Sequence, residues 1–315
     1  MKRISALFFI LLASSVSLSL NSKDTKRYVI GWQDKTAGFF HCFFDVLNKL
    51  GWCDKNRITP VVYWDNDSVY YNKDGYNGCT NVWEYYFYPV SKDTYQIGDV
   101  INKNSDQTIV PEGISHIGWV PEHTREKWYR RVVSRIIEKY IHIKPAVKNK
   151  IESFYKQNML GKKTIGIHIR GTDKYREAIA VSPSTIFEQA NILAAQFPAC
   201  QFLIATDELS ILEEAKSKLS GKVIYYEAFR SQDGRPIHFN THQYNKAKLG
   251  EEVLIETILL ARTDIFLHTL SNVSSAVLYF NAELDNVVFR HEAGKESEKK
   301  GYDPLDADMF WWATV

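Results

Sequence analysis

Hydrophobic and polar positions follow two different periods along this chain, and the changes of period mark the expected elements. From Thr164 onward, short apolar runs rich in β-branched residues alternate with segments whose apolar positions lie three and four apart. Such runs predict strands, and such segments predict helices. We expect strands at 164–169, 201–205, 222–226, 264–268 and 286–290, and helices at 184–197, 208–219, 247–262 and 273–280. This alternation predicts a parallel, doubly wound sheet.

The N-terminal half begins in a similar way. Its pattern predicts a strand at 27–32, a helix at 39–50 and a strand at 58–64, and later helices at 124–140 and 145–160. A strand, a helix and a second parallel strand form a right-handed βαβ unit. We therefore predict an α/β fold with two Rossmann-like domains that contain parallel sheets, at 23–160 and 161–295. Residues 296–315 contain Met309-Phe-Trp-Trp312 and should pack back on the body.

The first residues resemble a secretory leader. Lys2 and Arg3 precede an apolar run that ends near Leu20, and Ser15-Val16-Ser17 is a small-x-small cleavage site. Residues 1–22 are therefore either a cleaved signal peptide or an uncleaved signal anchor, and we exclude them from the fold. The rest of the sequence has no second stretch of spanning length. We expect the protein in the lumen of the endoplasmic reticulum or Golgi, with membrane contact through the leader alone.

Charge and composition narrow the function. The 315 residues carry a net charge of +2, which argues against a nucleic-acid binder. The basic segment 125–150 has apolar residues at helical spacing, so a solvated basic helix face is favoured over a nucleic-acid or membrane patch. The aromatic run Val82–Tyr88 is either core or a sugar-stacking platform, and core packing is favoured.

Cysteine and aspartate spacing bears on disulfides and metals. The sequence contains four cysteines, at positions 42, 53, 79 and 200, which could form two disulfide bonds with three alternative connectivities. The absence of a CxxC pair argues against a zinc site. Asp65-Asn66-Asp67 follows a predicted strand, and Asp306-Ala307-Asp308 lies in the tail. An Asp-x-Asp sequence is a weak signal for a divalent cation that screens a diphosphate. This metal-dependent interpretation is the less favoured one.

The stretch Thr164–Lys174 carries the main candidate chemistry. A buried strand runs directly into a charged loop, and the carboxyl ends of parallel strands face the ligand crevice. His168, Arg170, Asp173 and Lys174 should therefore reach that crevice. An Arg fork beside a Lys point charge suits a phosphate or diphosphate. The sequence contains neither of the two common glycine-rich phosphate loops, so side chains must bind the anion.

The pattern His-x-Arg-x-Thr-Asp-Lys resembles the donor-binding signature of GDP-fucose-dependent fucosyltransferases that attach α-1,6-fucose. Two further blocks, 202–210 and 264–275, extend the resemblance over roughly 143–280. Gly171 stands where the N-glycan core enzymes carry a second Arg. The resemblance implies a fold of the GT-B kind, and inverting transfer of fucose from GDP-fucose to a glycan or glycosylated acceptor, with no metal and no cofactor.

Two residues have expected catalytic roles. Arg170 should stabilise the departing diphosphate, with a surface salt bridge to Asp173 or Glu177 as the alternative. The resemblance suggests Glu177 as the base that deprotonates the acceptor, although the core enzymes space their acid one residue further from the Lys.

The donor site should include His168, Asp173, Lys174, Asp207, Glu256, Ser271, Asn272 and Ser274. Asp207 follows a strand and has helix capping as its alternative role. Ser271, Asn272 and Ser274 open a helix, where capping and anion binding use the same geometry. By resemblance Glu256 reads guanine, and its alternative is a helix-surface position.

Two other functions remain open from the sequence. One is a GT-B transferase that uses a different nucleotide sugar, and the other is a secreted glycan-binding protein without turnover.

The segment Phe229–Tyr244, with Gly234, Pro236, His238 and His242, is the best candidate for a mobile lid.

Overall fold

The computed structural model describes residues 26–32, 34–103, 117, 126–171, 181–197, 199–234, 237 and 244–289. The predicted leader, the tail 296–315 and half of the predicted lid lie outside these ranges. Within them, no helix is long and apolar enough to cross a membrane. Cys53, Cys79 and Cys200 form no disulfide bond within the described residues.

The N-terminal half contains a small parallel sheet. Its strands β1 (Arg27–Ile30), β2 (Thr59–Val62) and β3 (Ile101–Asn102) lie in the order β2-β1-β3. Helix α1 (Phe39–Asn56) connects β1 to β2, which confirms the βαβ prediction. The helix ends at Arg57, whose φ of 56° is left-handed. Strand β3 was not predicted, because two residues carry no periodicity.

The C-terminal half contains a five-stranded parallel sheet. Its strands are β4 (Thr164–Ile169), β5 (Gln201–Thr206), β6 (Lys222–Ile224), β7 (Ile265–Thr269) and β8 (Asn286–Phe289), in the order β6-β5-β4-β7-β8. The chain builds outward from β4 to β6 and then returns to β7 on the other side of β4. The switch point between β4 and β7 is where open α/β sheets bind ligands.

The structure contains all of the helices predicted between residues 124 and 280. They are α2 (Lys127–Tyr140), α3 (Pro145–Asn158), α4 (Pro183–Ala194), α5 (Leu209–Lys218), α6 (Lys246–Leu260) and α7 (Asn272–Phe280). The α/β class with two parallel sheets is thereby confirmed. Pro145 and Pro183 each open a helix, where a missing N–H costs nothing.

The larger hydrophobic core joins the two halves. Phe43 and Phe44 of α1 contact Phe280 and Tyr279 of α7, with ring centroids 5.9 and 5.4 Å apart. Tyr129 of α2 lies 6.0 Å from the same Tyr279 ring. Tertiary contacts therefore cross the domain boundary that we predict at residue 160, and the boundary itself stays a prediction.

The aromatic run belongs to this core. Trp83, Tyr85, Tyr86 and Phe87 are fully buried, which confirms core packing over a sugar platform. Tyr86 Oη donates a hydrogen bond to the Ala247 carbonyl of α6 at 2.8 Å. A Cβ on Gly250, one helical turn later, would lie 2.3 Å from that hydroxyl. Only glycine lets α6 approach Tyr86 this closely.

Candidate functional site

A cleft with a cavity of about 450 Å³ lies between the carboxyl edge of the larger sheet and the start of α1. Five residues predicted from the sequence line it together: His168, Arg170, Asp207, Glu256 and Asn272. They come from β4, from the loops after β4 and β5, from α6 and from the first residue of α7. The carboxyl-edge rule therefore brings residues far apart in sequence into one site.

His168 forms part of the cleft floor at the end of β4. Its Nδ1 lies 3.1 Å from the Ser274 hydroxyl. Burial, together with the nearby His268 and the charge of Arg170, lowers the pKa of His168 to about 3. The imidazole is consequently neutral at pH 7 and contributes no positive charge to the cleft.

Arg170 follows β4 directly and supplies positive charge to the cleft. Its backbone N–H lies 3.4 Å from the Thr269 hydroxyl, which ties the end of β4 to the end of β7. Arg170 is one of the residues that line the cavity. The other charged residues predicted for this loop, Asp173, Lys174 and Glu177, lie outside the described residues and stay predictions.

Asp207 fastens the loop that carries Arg170. Its Oδ1 accepts the Gly171 N–H at 2.8 Å. Helix α5 begins after Glu208 without a side-chain cap, so the capping interpretation of Asp207 is wrong. A Cβ on Gly171 would lie 2.3 Å from Glu208 Oε2 and 2.7 Å from Ile211 Cδ1. A side chain at this position would therefore require Glu208 and Ile211 to move.

Helix α7 begins at the cleft wall. Ser271 caps it by accepting the Ser274 N–H at 3.0 Å, which confirms the capping interpretation. Both serines are buried behind the wall, whereas Asn272 and Val273 line the cavity. The first N–H groups of a helix point out of its N-terminus, so an anion at this wall would meet backbone rather than serine hydroxyls.

Glu256 lies on the α6 side of the cleft, and its side chain is only 13% exposed. The helix-surface alternative is therefore wrong. Its Oε1 accepts a hydrogen bond from Arg230 at 2.8 Å, and Arg230 also donates to the Tyr226 and Ala228 carbonyls. Burial, reinforced by Glu252 and Asp207, outweighs Arg230 and raises the pKa of Glu256 to about 8. The carboxyl is thus mostly protonated at pH 7.

Glu252 organises the segment beside it. Its Oε2 accepts the Phe229 N–H and its Oε1 accepts the Tyr244 hydroxyl, both at 2.9 Å. Phe229, Leu249 and Val253 give this end of the cleft an apolar lining. The α6 end of the cleft therefore combines apolar surface with two buried carboxyl groups.

The N-terminal wall was missed by the sequence reasoning. Asp34, Thr36, His41 and Tyr70 line the cleft opposite Arg170. Asp34 Oδ1 accepts the N–H and the hydroxyl of Thr36, both at 2.8 Å, and these bonds lower the pKa of Asp34. The available signal was the position of this loop at the carboxyl end of β1, which is equivalent to the position of Arg170 after β4.

The Asp65-x-Asp67 sequence holds a lysine. Lys103 Nζ lies 2.7 Å from Asp65 and 2.6 Å from Asp67, and Lys35 Nζ lies 2.7 Å from Asp67. An ammonium group thus lies where a cation would bind both carboxylates. Across the part of the chain that the structure describes, no group of three or more His, Cys, Asp or Glu residues could hold a metal ion.

Comparison with known proteins gives a likeness in structure. No protein-family model and no curated protein matches the sequence. The structure of NodZ α-1,6-fucosyltransferase soaked with GDP-fucose is 17% identical, with a TM-score of 0.50 over 82% of this chain and 93% of that one. Fucosyltransferase NodZ from Bradyrhizobium is 16% identical, with a TM-score of 0.47 over 81% and 92%. POFUT1 in complex with GDP-fucose is 12% identical, with a TM-score of 0.46 over 85% and 99%.

The first of these likenesses establishes the fold alone, because a sequence identity of 17% is too low for a function to be transferred. It agrees with the parallel sheets and with the switch-point cleft described above. The sequence blocks and the coordinates thus lead to the same architecture. The chain has the GT-B-like α/β fold seen in the fucosyltransferase NodZ.

Proposed function

We propose that this protein is a glycosyltransferase that moves fucose from GDP-fucose to a glycan or glycosylated acceptor, with inversion and without a metal ion. The observation that carries the proposal is that Arg170 and Glu256 line the same cleft at the switch point of the sheet. The likeness to NodZ, whose structure was obtained with GDP-fucose, supports this choice of donor.

Each end of the cleft suits one end of a nucleoside diphosphate. Breaking the bond to the sugar leaves two negative charges on the departing β-phosphate, and a positioned guanidinium such as Arg170 stabilises them. Guanine offers two N–H donors side by side, and an ionised Glu256 accepts both. Phe229, Leu249 and Val253 provide apolar surface for the purine ring.

The acceptor enters on the N-terminal side of the cleft in this proposal. Asp34, Thr36 and His41 are exposed polar groups at that wall, and such groups suit sugar hydroxyls. Glu177 is the proposed base, on the basis of the sequence resemblance. The leader-like residues 1–22 support a place in the lumen of the endoplasmic reticulum or Golgi, which protease protection of the full-length protein would test.

The deciding experiment incubates purified protein with a panel of nucleotide sugars and follows release of the nucleotide. Slow release of GDP from GDP-fucose alone, abolished in Arg170→Ala, is the expected result. Release from a different nucleotide sugar would reassign the donor. Binding of glycans with no turnover of any donor would indicate a glycan-binding protein.

A further inference from the structure

The cleft floor is backed by a buried hydrogen-bond network that fixes where protons lie. Ser274 Oγ lies 2.7 Å from the Thr269 carbonyl oxygen, 3.1 Å from His168 Nδ1 and 3.0 Å from Ser271 Oγ. A carbonyl can only accept, so the single hydroxyl proton of Ser274 goes to Thr269. Ser274 Oγ must then accept from the other two neighbours. His168 therefore carries its proton on Nδ1.

A second chain of hydrogen bonds ends at the same carbonyl oxygen of Thr269. Arg130 donates to Asn286 Oδ1 at 2.7 Å, and a guanidinium cannot accept, so the orientation of the amide is fixed. Asn286 Nδ2 then donates to His268 Nε2 at 3.0 Å, and His268 Nδ1 donates to the Thr269 oxygen at 3.1 Å. Every donor in this branch points toward Thr269, so the two branches agree in direction.

These proton positions determine what His168 offers to the cleft. His168 and Ser274 are 6% and 1% exposed, and His168 lines the cavity whereas Ser274 lies behind it. A neutral imidazole with its proton on Nδ1 has an unprotonated Nε2. The low pKa of His168 agrees with the neutral form.

We propose that Ser274 is a positioning residue that locks His168 in the Nδ1–H form, so that Nε2 accepts a hydrogen bond from an N–H or O–H donor of the bound nucleotide. The nucleotide part of this statement rests on the proposed function. Phosphate oxygens are acceptors, so His168 does not bind the diphosphate. The donors available on GDP are the ribose hydroxyls and the N–H groups of guanine.

The first test needs no ligand. Protein labelled with ¹⁵N in its histidine rings gives two ring-nitrogen chemical shifts for His168, which is assigned by comparison with His168→Gln. The expected spectrum has Nδ1 protonated and Nε2 unprotonated. Ser274→Ala should lose this form, while Ser275→Ala should keep it, because Ser275 is an equally buried neighbour in the same helix. A protonated Nε2 in the wild type would overturn the proposal, whether or not the protein binds GDP.

The second test identifies the donor by calorimetry with GDP, 2′-deoxy-GDP and inosine diphosphate, which lacks the exocyclic amine. Ser274→Ala should weaken GDP binding by about tenfold, and Ser275→Ala should not. The analogue that lacks the contacted donor should bind wild type and Ser274→Ala equally. If both analogues bind Ser274→Ala more weakly than wild type, the contacted donor is the ribose 3′-hydroxyl or guanine N1–H. Equal affinity of wild type and Ser274→Ala for all three nucleotides would refute the acceptor role. No binding of GDP to the wild type would instead refute the proposed function and leave the tautomer result to decide the lock.

Discussion

GDP binding should release a proton from Glu256, which makes the affinity depend on pH in a specific way. The pKa of this carboxyl is about 8 because it is buried beside Glu252 and Asp207. Its ionised form is the one that accepts both guanine N–H groups. About one molecule in ten is ionised at pH 7 and about one in a hundred at pH 6. GDP affinity should therefore fall about tenfold per pH unit below pH 8 and level off above it.

Glu256→Gln separates this effect from all others. The amide keeps the size of the side chain and resembles the protonated acid. The GDP affinity of the variant should therefore lose the pH dependence that residue 256 causes in the wild type. At pH 9 the variant should bind GDP more weakly by about 1 to 3 kcal/mol. At pH 6 the two proteins should bind GDP almost equally. The phosphates of GDP titrate in both experiments, so the ratio of the two affinities removes their contribution.

Isothermal titration calorimetry provides the assay. At pH 7, titrations in two buffers with different ionisation enthalpies should show close to one more proton released per GDP by the wild type than by Glu256→Gln. ADP binding should change little between the two proteins, since adenine presents an acceptor at the same edge. A constant affinity ratio from pH 6 to pH 9 would refute the guanine-reading role of Glu256.

Three further perturbations test other parts of the molecule. Arg170→Ala should lower turnover at least a hundredfold, on the order of 3 kcal/mol of barrier, with unchanged circular dichroism; a variant that keeps a third of the activity would contradict the leaving-group role. Activity should persist in excess chelator and in Asp65→Asn, whereas loss on chelation that manganese restores would support a metal site. Gly250→Ala should lower the free energy of unfolding by about 1 to 3 kcal/mol in urea, because its Cβ would meet the Tyr86 hydroxyl. Adding Tyr86→Phe removes the closest atom of that contact and should recover part of the loss.

The sequence predicted elements best where the apolar pattern is continuous. Strand β4 begins and ends where expected, because four β-branched residues lie within six positions between breaks at Gly161 and Gly171. Helix α1 runs six residues beyond its predicted end. The prediction ended with the apolar periodicity at Leu50, but Gly51 and Cys53 are buried in the core, so tertiary packing outweighs the low helix propensity of glycine.

The site was half predictable for a related reason. His168, Arg170 and Asp207 lie at or just after the carboxyl ends of strands of one sheet, so a local rule identifies them. Asp34 has the equivalent position after β1, but its loop and His41 reach this cleft only through packing between the halves, which a local rule does not predict. Arg130 was assigned to a solvated basic face. Arg130 is buried instead, and desolvation lowers its pKa to about 10. The guanidinium can be buried because Asn286 and the Leu284 carbonyl accept its hydrogen bonds.

The aromatic contacts between α1 and α7 have a consequence for how the protein unfolds and moves. Phe43, Phe44, Phe280 and Tyr279 form one continuous core, so separating the halves would expose those rings to water at roughly 25 cal/mol for each Å². Heating should accordingly give a single cooperative transition, with equal calorimetric and van't Hoff enthalpies. Ligands must then enter the cleft through motions of its loops, because a hinge motion between the two halves would separate the aromatic core that they share.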